Sequence, residues 1–286
     1  MFRVGKSTAG APLSTINDDM FREYSEAGIN YVEISFSPIG DCNFDFKEIK
    51  KSADKYGVEL WSYHLPFMPF AQIDISKPSL ADFTVKAMEE LIKKASDAGI
   101  NKFVIHPSGE PIEDSERAER MACAKKSLAH LADIAAEYGG VIAVENLPRT
   151  CLGRNSEEML ELLSAHEALR ICFDTNHLLS ESHEDFLKNV AGKIITTHVS
   201  DYDFVDEMHF LPGEGKIDWQ SLIKNLKETG YDGIWLYELR AGDTLKISRS
   251  RELCMKDFAR NAKELFENRA ITLLEREYLI YKNQKK

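Results

Sequence analysis

Six positions in this sequence repeat one arrangement, a short apolar run that ends on a side chain able to bind a metal or move a proton. They are His64, His106, Glu145, Asp174, His198 and Glu238. The pattern is plainest in Val141-Ile142-Ala143-Val144-Glu145-Asn146-Leu147-Pro148. There a β-branched, apolar stretch reads as a buried strand, and a proline stops it. A carboxylate at the end of such a strand is costly unless its charge is compensated. Taken singly, each acid reads as a cap or an ion-pair partner: Asp174 for the turn after its strand, Glu238 for Arg240. Glu145, Asp174, His198 and Glu238 in one register read differently. Three carboxylates and an imidazole packed together repel strongly, and a divalent cation resolves that repulsion. Oxygen-rich ligation with one imidazole suits Mn²⁺, Mg²⁺, Co²⁺ or Zn²⁺, and the donors alone do not choose among them.

Four histidines join this set as candidate contacts to substrate or to a second metal. His64 and His106 end strands and are followed closely by proline, and His177 lies three residues after Asp174 in Asp-Thr-Asn-His. His209 opens His-Phe-Leu-Pro-Gly-Glu-Gly, where Gly213 and Gly215 would let backbone approach a ligand. The plainer reading of that loop is a turn, with Asp218 capping the next helix. Two other signals are set aside. Gly5-Lys6-Ser7-Thr8 lacks the earlier glycine of a phosphate loop, and Cys172 has no activating neighbour in sequence and reads as core.

The elements that must position these residues alternate regularly. Strands are expected at 2–4, 31–35, 58–63, 103–105, 141–144, 169–173, 194–197 and 234–237. Helices are expected at 14–27 (capped by Ser14 or Thr15), 46–56, 79–98, 115–138, 156–164, 183–190, 219–229 and 248–268. In 79–98, Leu80, Phe83, Ala87, Leu91 and Ala95 recur at helical steps. Glycines at 28, 57, 99, 140 and 230 punctuate helix ends. Strand–helix alternation with apolar strands implies a parallel sheet covered on both faces. Eight units predict a closed (β/α)₈ barrel, with a doubly wound open sheet as the alternative. The barrel would occupy 1–270 as one domain, and 271–286 would be a basic-ended helical tail. Leu274, Tyr278 and Tyr281 in that tail would pack on the barrel or on a second copy in a homo-oligomer. In a closed barrel all strand carboxyl ends meet at one face, so residues far apart in sequence converge there.

Composition narrows the partners. Over 286 residues, 36 Lys and Arg against 47 Asp and Glu give a net charge of −11. That disfavours nucleic acid or an anionic membrane, since both want a basic face. The five cysteines are odd in number and form no CxxC pair, which reads as reduced thiols in a cytoplasmic protein. No signal-like segment opens the chain, and no apolar run is long enough for a membrane span.

The residues just named, in His64-Leu65-Pro66, Ile105-His106-Pro107, Val144-Glu145-Asn146, Phe173-Asp174-Thr175-Asn176-His177, His198-Val199-Ser200-Asp201, Pro212-Gly213-Glu214-Gly215 and Glu238-Leu239, resemble the xylose isomerase-like TIM-barrel superfamily, in its sugar phosphate isomerase/epimerase group. The resemblance spans nearly the whole chain. It implies a metal-dependent isomerase or epimerase of a sugar or sugar derivative. In ketose 3-epimerases of that group a Glu, Asp, His and Glu hold one divalent metal, matching Glu145, Asp174, His198 and Glu238. The two glutamates there also move the proton, next to a carbonyl polarised by the metal. A lyase or dehydratase could share that chemistry. Two positions depart from the pattern: Cys151 stands where those epimerases carry a further glutamate, and Phe204 where they carry an arginine. Endonuclease IV-like apurinic endonucleases share the barrel and use three zinc ions, and His64, His106, Glu145, Asp174, His177, His198 and Glu238 resemble seven of their ligands. They also use an Asp-x-His pair; here Asp206 and His209 are three apart. The resemblance implies a small-molecule substrate for the first reading and abasic DNA for the second. A third reading is a sugar-binding protein on a barrel that has lost its chemistry.

Overall fold

The computed structural model of the chain describes residues 2–35, 45–67 and 73–279. Its centre is a ring of parallel strands: β1 (Arg3–Ser7), β2 (Tyr31–Ser35), β3 (Glu59–His64), β4 (Lys102–Ile105), β5 (Val141–Glu145), β6 (Arg170–Asp174), β7 (Ile194–His198) and β8 (Ile234–Tyr237). Around it lie α1 (Asp18–Ala27), α2 (Phe46–Lys55), α3 (Pro78–Ser96), α4 (Arg117–Glu137), α5 (Ser156–Leu163), α6 (His183–Asn189), α7 (Trp219–Glu228) and α8 (Met255–Phe266). The strands pair in the order β7-β6-β5-β4-β3-β2-β1-β8. The ring closes just past β7, where Val199 donates to the Leu236 carbonyl at 2.8 Å and accepts from the Glu238 N–H at 3.2 Å. The closed barrel is therefore the architecture, and the open sheet is excluded.

Strand residues alternate between two cores, as a pleated backbone requires. Phe103, Ile105, Ile142, Val144, Ile171 and Phe173 face the helices. Val104, Ala143 and Cys172 face inward with Ile195, and Trp61, Ile234 and Leu236 do so with Tyr31. These inward clusters fill the barrel one layer below the strand ends. Two register shifts adjust what points inward. Between β6 and β7, Ile171 pairs with Ile194 but Cys172 with Thr196, so Ile195 is an extra residue that fills the floor while His198 still faces in. Between β2 and β3, Val32 pairs with Leu60 but Glu33 with Ser62. The extra Trp61 crosses the barrel to donate to Thr196 at 3.1 Å. Bulges re-aim side chains in this way next to functional sites.

Three expectations change. The first helix starts at Asp18, with Asn17 accepting from the Asp19 and Met20 N–H groups. Thr15 does not cap it, because its N–H and hydroxyl both go to the Pro12 carbonyl, closing a tight turn. The last helix is shorter than 248–268, because β9 (Ile247–Arg249) precedes it. The tail over 271–286 is not helical through Leu279: Arg276–Tyr278 form β10, antiparallel to β9. The hydrogen bonds a helix would make locally go elsewhere. Thr272 donates through its N–H and hydroxyl to Glu264 at 2.7 and 2.8 Å, and Leu279 N–H donates to the Lys246 carbonyl at 2.8 Å. Tyr281 and Cys42 lie outside the described residues; the other four cysteines are free thiols. No helix among the described residues is long and apolar enough to cross a membrane.

Candidate metal centre and active site

Glu145, Asp174 and His198 are the last residues of β5, β6 and β7, and Glu238 follows β8 directly. Inward parity sends all four side chains to the same point. Asp174 and His198 are fully buried, and Glu145 and Glu238 nearly so. One ligand atom from each lies within 4.8 Å of the others. His198 Nδ1 is 3.0 Å from Glu238 Oε2, 3.2 Å from Glu145 Oε1 and 3.9 Å from Asp174 Oδ2. Asn146 aligns two of the strand ends: its amide donates to the Asp174 carbonyl at 2.9 Å and accepts from the Asp174 N–H at 2.8 Å.

The electrostatics of the cluster suit a cation. Burial, reinforced by Glu145 and Glu238, pushes the Asp174 carboxyl up to about 8. Against the cost of burial, His198 holds Glu238 down at about 2, and His198 with His106 holds Glu145 well below the usual carboxylate range. Asp174 Oδ1 accepts from the Asn176 N–H at 2.6 Å, whereas its buried Oδ2 has no hydrogen-bond partner. A buried carboxylate oxygen without a donor, facing two more carboxylates and an imidazole, fits a divalent metal. Buried polar atoms otherwise find partners.

Two further groups adjoin this one. His64 and His106 both direct Nε2 at Glu145 Oε2, at 3.1 and 3.3 Å. His64 Nδ1 lies 2.8 Å from the Leu65 carbonyl, and Phe67 stacks on His106 with ring centroids 4.0 Å apart. On the other side His177, Glu207 and His209 also bring ligand atoms within 4.8 Å of one another. His177 Nδ1 lies 2.9 Å from the Asn146 carbonyl while Nε2 meets Glu207 Oε2 at 3.2 Å. His209 Nδ1 lies 3.2 Å from the Glu238 carbonyl. Burial opposes charge on His177, but Asp174 and Glu207 raise it to about 10. Arg149 reaches over this group, pairing with Glu110, with Asp206 at 2.7 Å and with Glu207 at 3.0 Å. Glu207 thus already has two cationic partners.

The eight candidate site residues, His64, His106, Glu145, Asp174, His177, His198, His209 and Glu238, therefore lie at or beside one mouth. The Gly213–Gly215 loop does not. It folds around Asp201, which accepts from Gly213 N–H at 2.8 Å, Ile217 N–H at 3.1 Å, Tyr202 N–H at 2.9 Å and the Trp219 indole at 2.9 Å. Glu214 in the same loop forms a fully buried pair with Arg249 at 2.6 Å. The loop is scaffold, and Asp218 caps α7 through the Ser221 N–H. Gly5-Lys6-Ser7-Thr8 ends β1, and buried Lys6 donates to the Ser7 and Leu239 carbonyls at 2.9 Å. A cavity of about 930 Å³ beside it, between the β1–α1 loop and the residues after β8, is lined by none of the cluster's donors. Cys172 is core, Cys151 is buried and Phe204 is exposed.

Sequence reasoning missed two acids. Glu33 is fully buried in mid-strand and touches His198 Nε2. Its signal in the sequence is a lone charge among apolar residues in Val32-Glu33-Ile34, away from any strand end. Glu207 is masked by its residue type: Glu207-Met208-His209 keeps the spacing of an Asp-x-His pair with a longer acid.

A closed parallel barrel with acids and histidines gathered at the strand carboxyl ends defines the class of α/β barrels that build their active sites there. The chain belongs to the xylose isomerase-like TIM-barrel family, whose profile matches residues 21–267. An uncharacterized protein of Methanocaldococcus jannaschii is 28% identical over 199 residues, covering 66% of this chain and 67% of its own. Ketose 3-epimerase of Arthrobacter globiformis is 27% identical over 241 residues, covering 80% and 79%. Among solved structures, a D-tagatose 3-epimerase-like protein superposes with a TM-score of 0.78 over 93% of this chain and 97% of that one, at 23% identity, a likeness of fold.

Proposed function

We propose that this chain is a metal-dependent isomerase or epimerase of a sugar or sugar derivative, working by proton transfer beside a carbonyl. The observation that carries this reading is the Glu145–Asp174–His198–Glu238 cluster, with Asp174 Oδ2 buried and without a hydrogen bond at the barrel mouth. The ketose 3-epimerase among its relatives supports the substrate class. Asp174 and His198 would act as ligands, and Glu145 and Glu238 as ligands that also accept and return the proton. A divalent cation bound there would draw electron density from a substrate carbonyl and acidify the neighbouring C–H. His64, His106, His177 and His209 surround the cluster and would orient substrate hydroxyls. Glu145 is held ionised by His198 and His106, the state a general base needs. A lyase or dehydratase acting on a keto-polyol would use the same first step.

Metal content of protein purified without chelator tests this, on wild type and Asp174→Ala. About one divalent ion per chain, lost in the variant, supports the reading; no metal in wild type after reconstitution overturns it.

A second reading, a three-zinc phosphodiesterase, is favoured by one observation: His64–His106–Glu145 and His177–Glu207–His209 are also ligand-like groups. The pairing of Glu207 with both His177 and Arg149 weakens the last of these as a metal site. The net charge of −11 weakens DNA as substrate. Two or three zinc ions per chain together with cleavage of an abasic duplex would establish the second reading.

A further inference from the structure

We propose that Glu33 is a positioning residue for this metal centre: its carboxylate accepts a hydrogen bond from the Nε2–H of His198, which keeps the proton on Nε2 and so turns the Nδ1 lone pair toward the other donors. The inference rests on the metal reading above and concerns a residue outside the four donors. Glu33 and His198 are both fully buried. His198 Nε2 lies 3.0 Å from Glu33 Oε1 and 3.2 Å from Oε2, and Ser62 Oγ donates to Oε2 at 2.8 Å. On the opposite edge of the ring, Nδ1 faces Glu238 Oε2 at 3.0 Å, Glu145 Oε1 at 3.2 Å and Asp174 Oδ2 at 3.9 Å.

A neutral imidazole carries one proton. With that proton on Nδ1, the Nε2 lone pair would abut a carboxylate inside a closed core. With it on Nε2, Glu33 is satisfied and the Nδ1 lone pair points at the space shared with three carboxylates, where a cation completes the arrangement. The register shift ahead of Glu33 sets Ser62 opposite it, so the carboxylate is itself held. Such outer partners fix the tautomer and orientation of metal-bound histidines, and losing one typically weakens metal affinity about 10–100-fold.

The test is Co²⁺ binding, read by chelator competition and by the visible spectrum of the cobalt-loaded protein, on wild type, Glu33→Gln and Ser62→Ala. Glu33→Gln should bind about 10–100-fold more weakly, with an altered spectrum. Ser62→Ala, which keeps both carboxylate and imidazole, should weaken binding by a smaller factor. Glu33→Gln that lowers only the melting temperature, with wild-type affinity and spectrum, overturns the inference and leaves the metal reading standing. Wild type that takes up no cobalt overturns both. If Glu33→Gln does not fold, the ¹⁵N spectrum of the zinc-loaded wild type decides: a proton on His198 Nε2 supports the inference, and one on Nδ1 overturns it.

Discussion

Asp174 and Asp201 are two aspartates at the carboxyl ends of neighbouring chain segments, both fully buried, and they have opposite surroundings. Asp201 accepts from three backbone N–H groups and an indole. Asp174 accepts from one N–H, leaves Oδ2 without a hydrogen bond, 3.5 Å from His177 Nδ1, and faces two more carboxylates. Burial raises both carboxyls, but only around Asp201 do hydrogen bonds pull back on the whole group. The difference separates scaffold from site. A buried acid whose donors are all supplied by its own loop holds that loop in shape. One whose acceptor capacity is left open in company with other acids awaits a partner from outside.

The largest expected effect lies at the mouth. Glu145→Gln should keep the fold and reduce exchange of the substrate's acidic C–H with solvent deuterium by about 10²–10⁴-fold, measured by NMR; retained exchange would break the assignment of Glu145 as the base. At the scaffold the readout should be stability instead. Asp201→Ala strands four donors and should cost at least about 3 kcal/mol in urea unfolding, with metal content per folded chain unchanged. Gly215→Ala tests the same clamp from its other side. A Cβ there would lie 2.3 Å from Asp201 Oδ1 and 2.4 Å from the Tyr202 carbonyl, so a loss of roughly 1–3 kcal/mol is expected.

A pH experiment sharpens the contrast. Folded, metal-free Asp174 keeps its proton up to about 8, whereas an unfolded aspartate gives it up near ~3.9. In that window the native state holds the extra proton, so this group's contribution to stability falls as pH rises. In chelator, Asp174→Asn should therefore gain on wild type by a few degrees in melting temperature from pH 4 to pH 8; adding metal should reverse the order. The smallest effect is expected for Glu207→Gln. It should leave metal stoichiometry unchanged, and a lost equivalent of zinc would instead favour the three-zinc reading.

Much of this was legible from local pattern. Strands ending in Glu145, Asp174 and His198 showed themselves as apolar runs, and closure of the barrel then brought those ends together without any need to know their spacing. What was illegible depended on partners distant in sequence. Glu33 is mid-strand, and its role comes from a register shift and from His198 across the barrel. The Gly213–Gly215 loop has a ligand-binding look, and only the Asp201 contacts reveal that Gly215 makes room for a carboxylate of the same chain. The tail has enough helix-forming residues to suggest a helix, but β9 offers its backbone groups a competing edge.

The amide of Asn146 has a consequence for the mechanics of the mouth. Its paired bonds to the Asp174 N–H and carbonyl copy those of a peptide group, so the β5–β6 ladder runs one rung farther than its backbone. Glu145 and Asp174 hang from the two sides of that rung. Once Asp174 loses its proton, like charges at the two strand tips exert a splaying force on them. The side-chain rung acts as a tie bar against that force, joining the two strand tips beyond the last backbone bond.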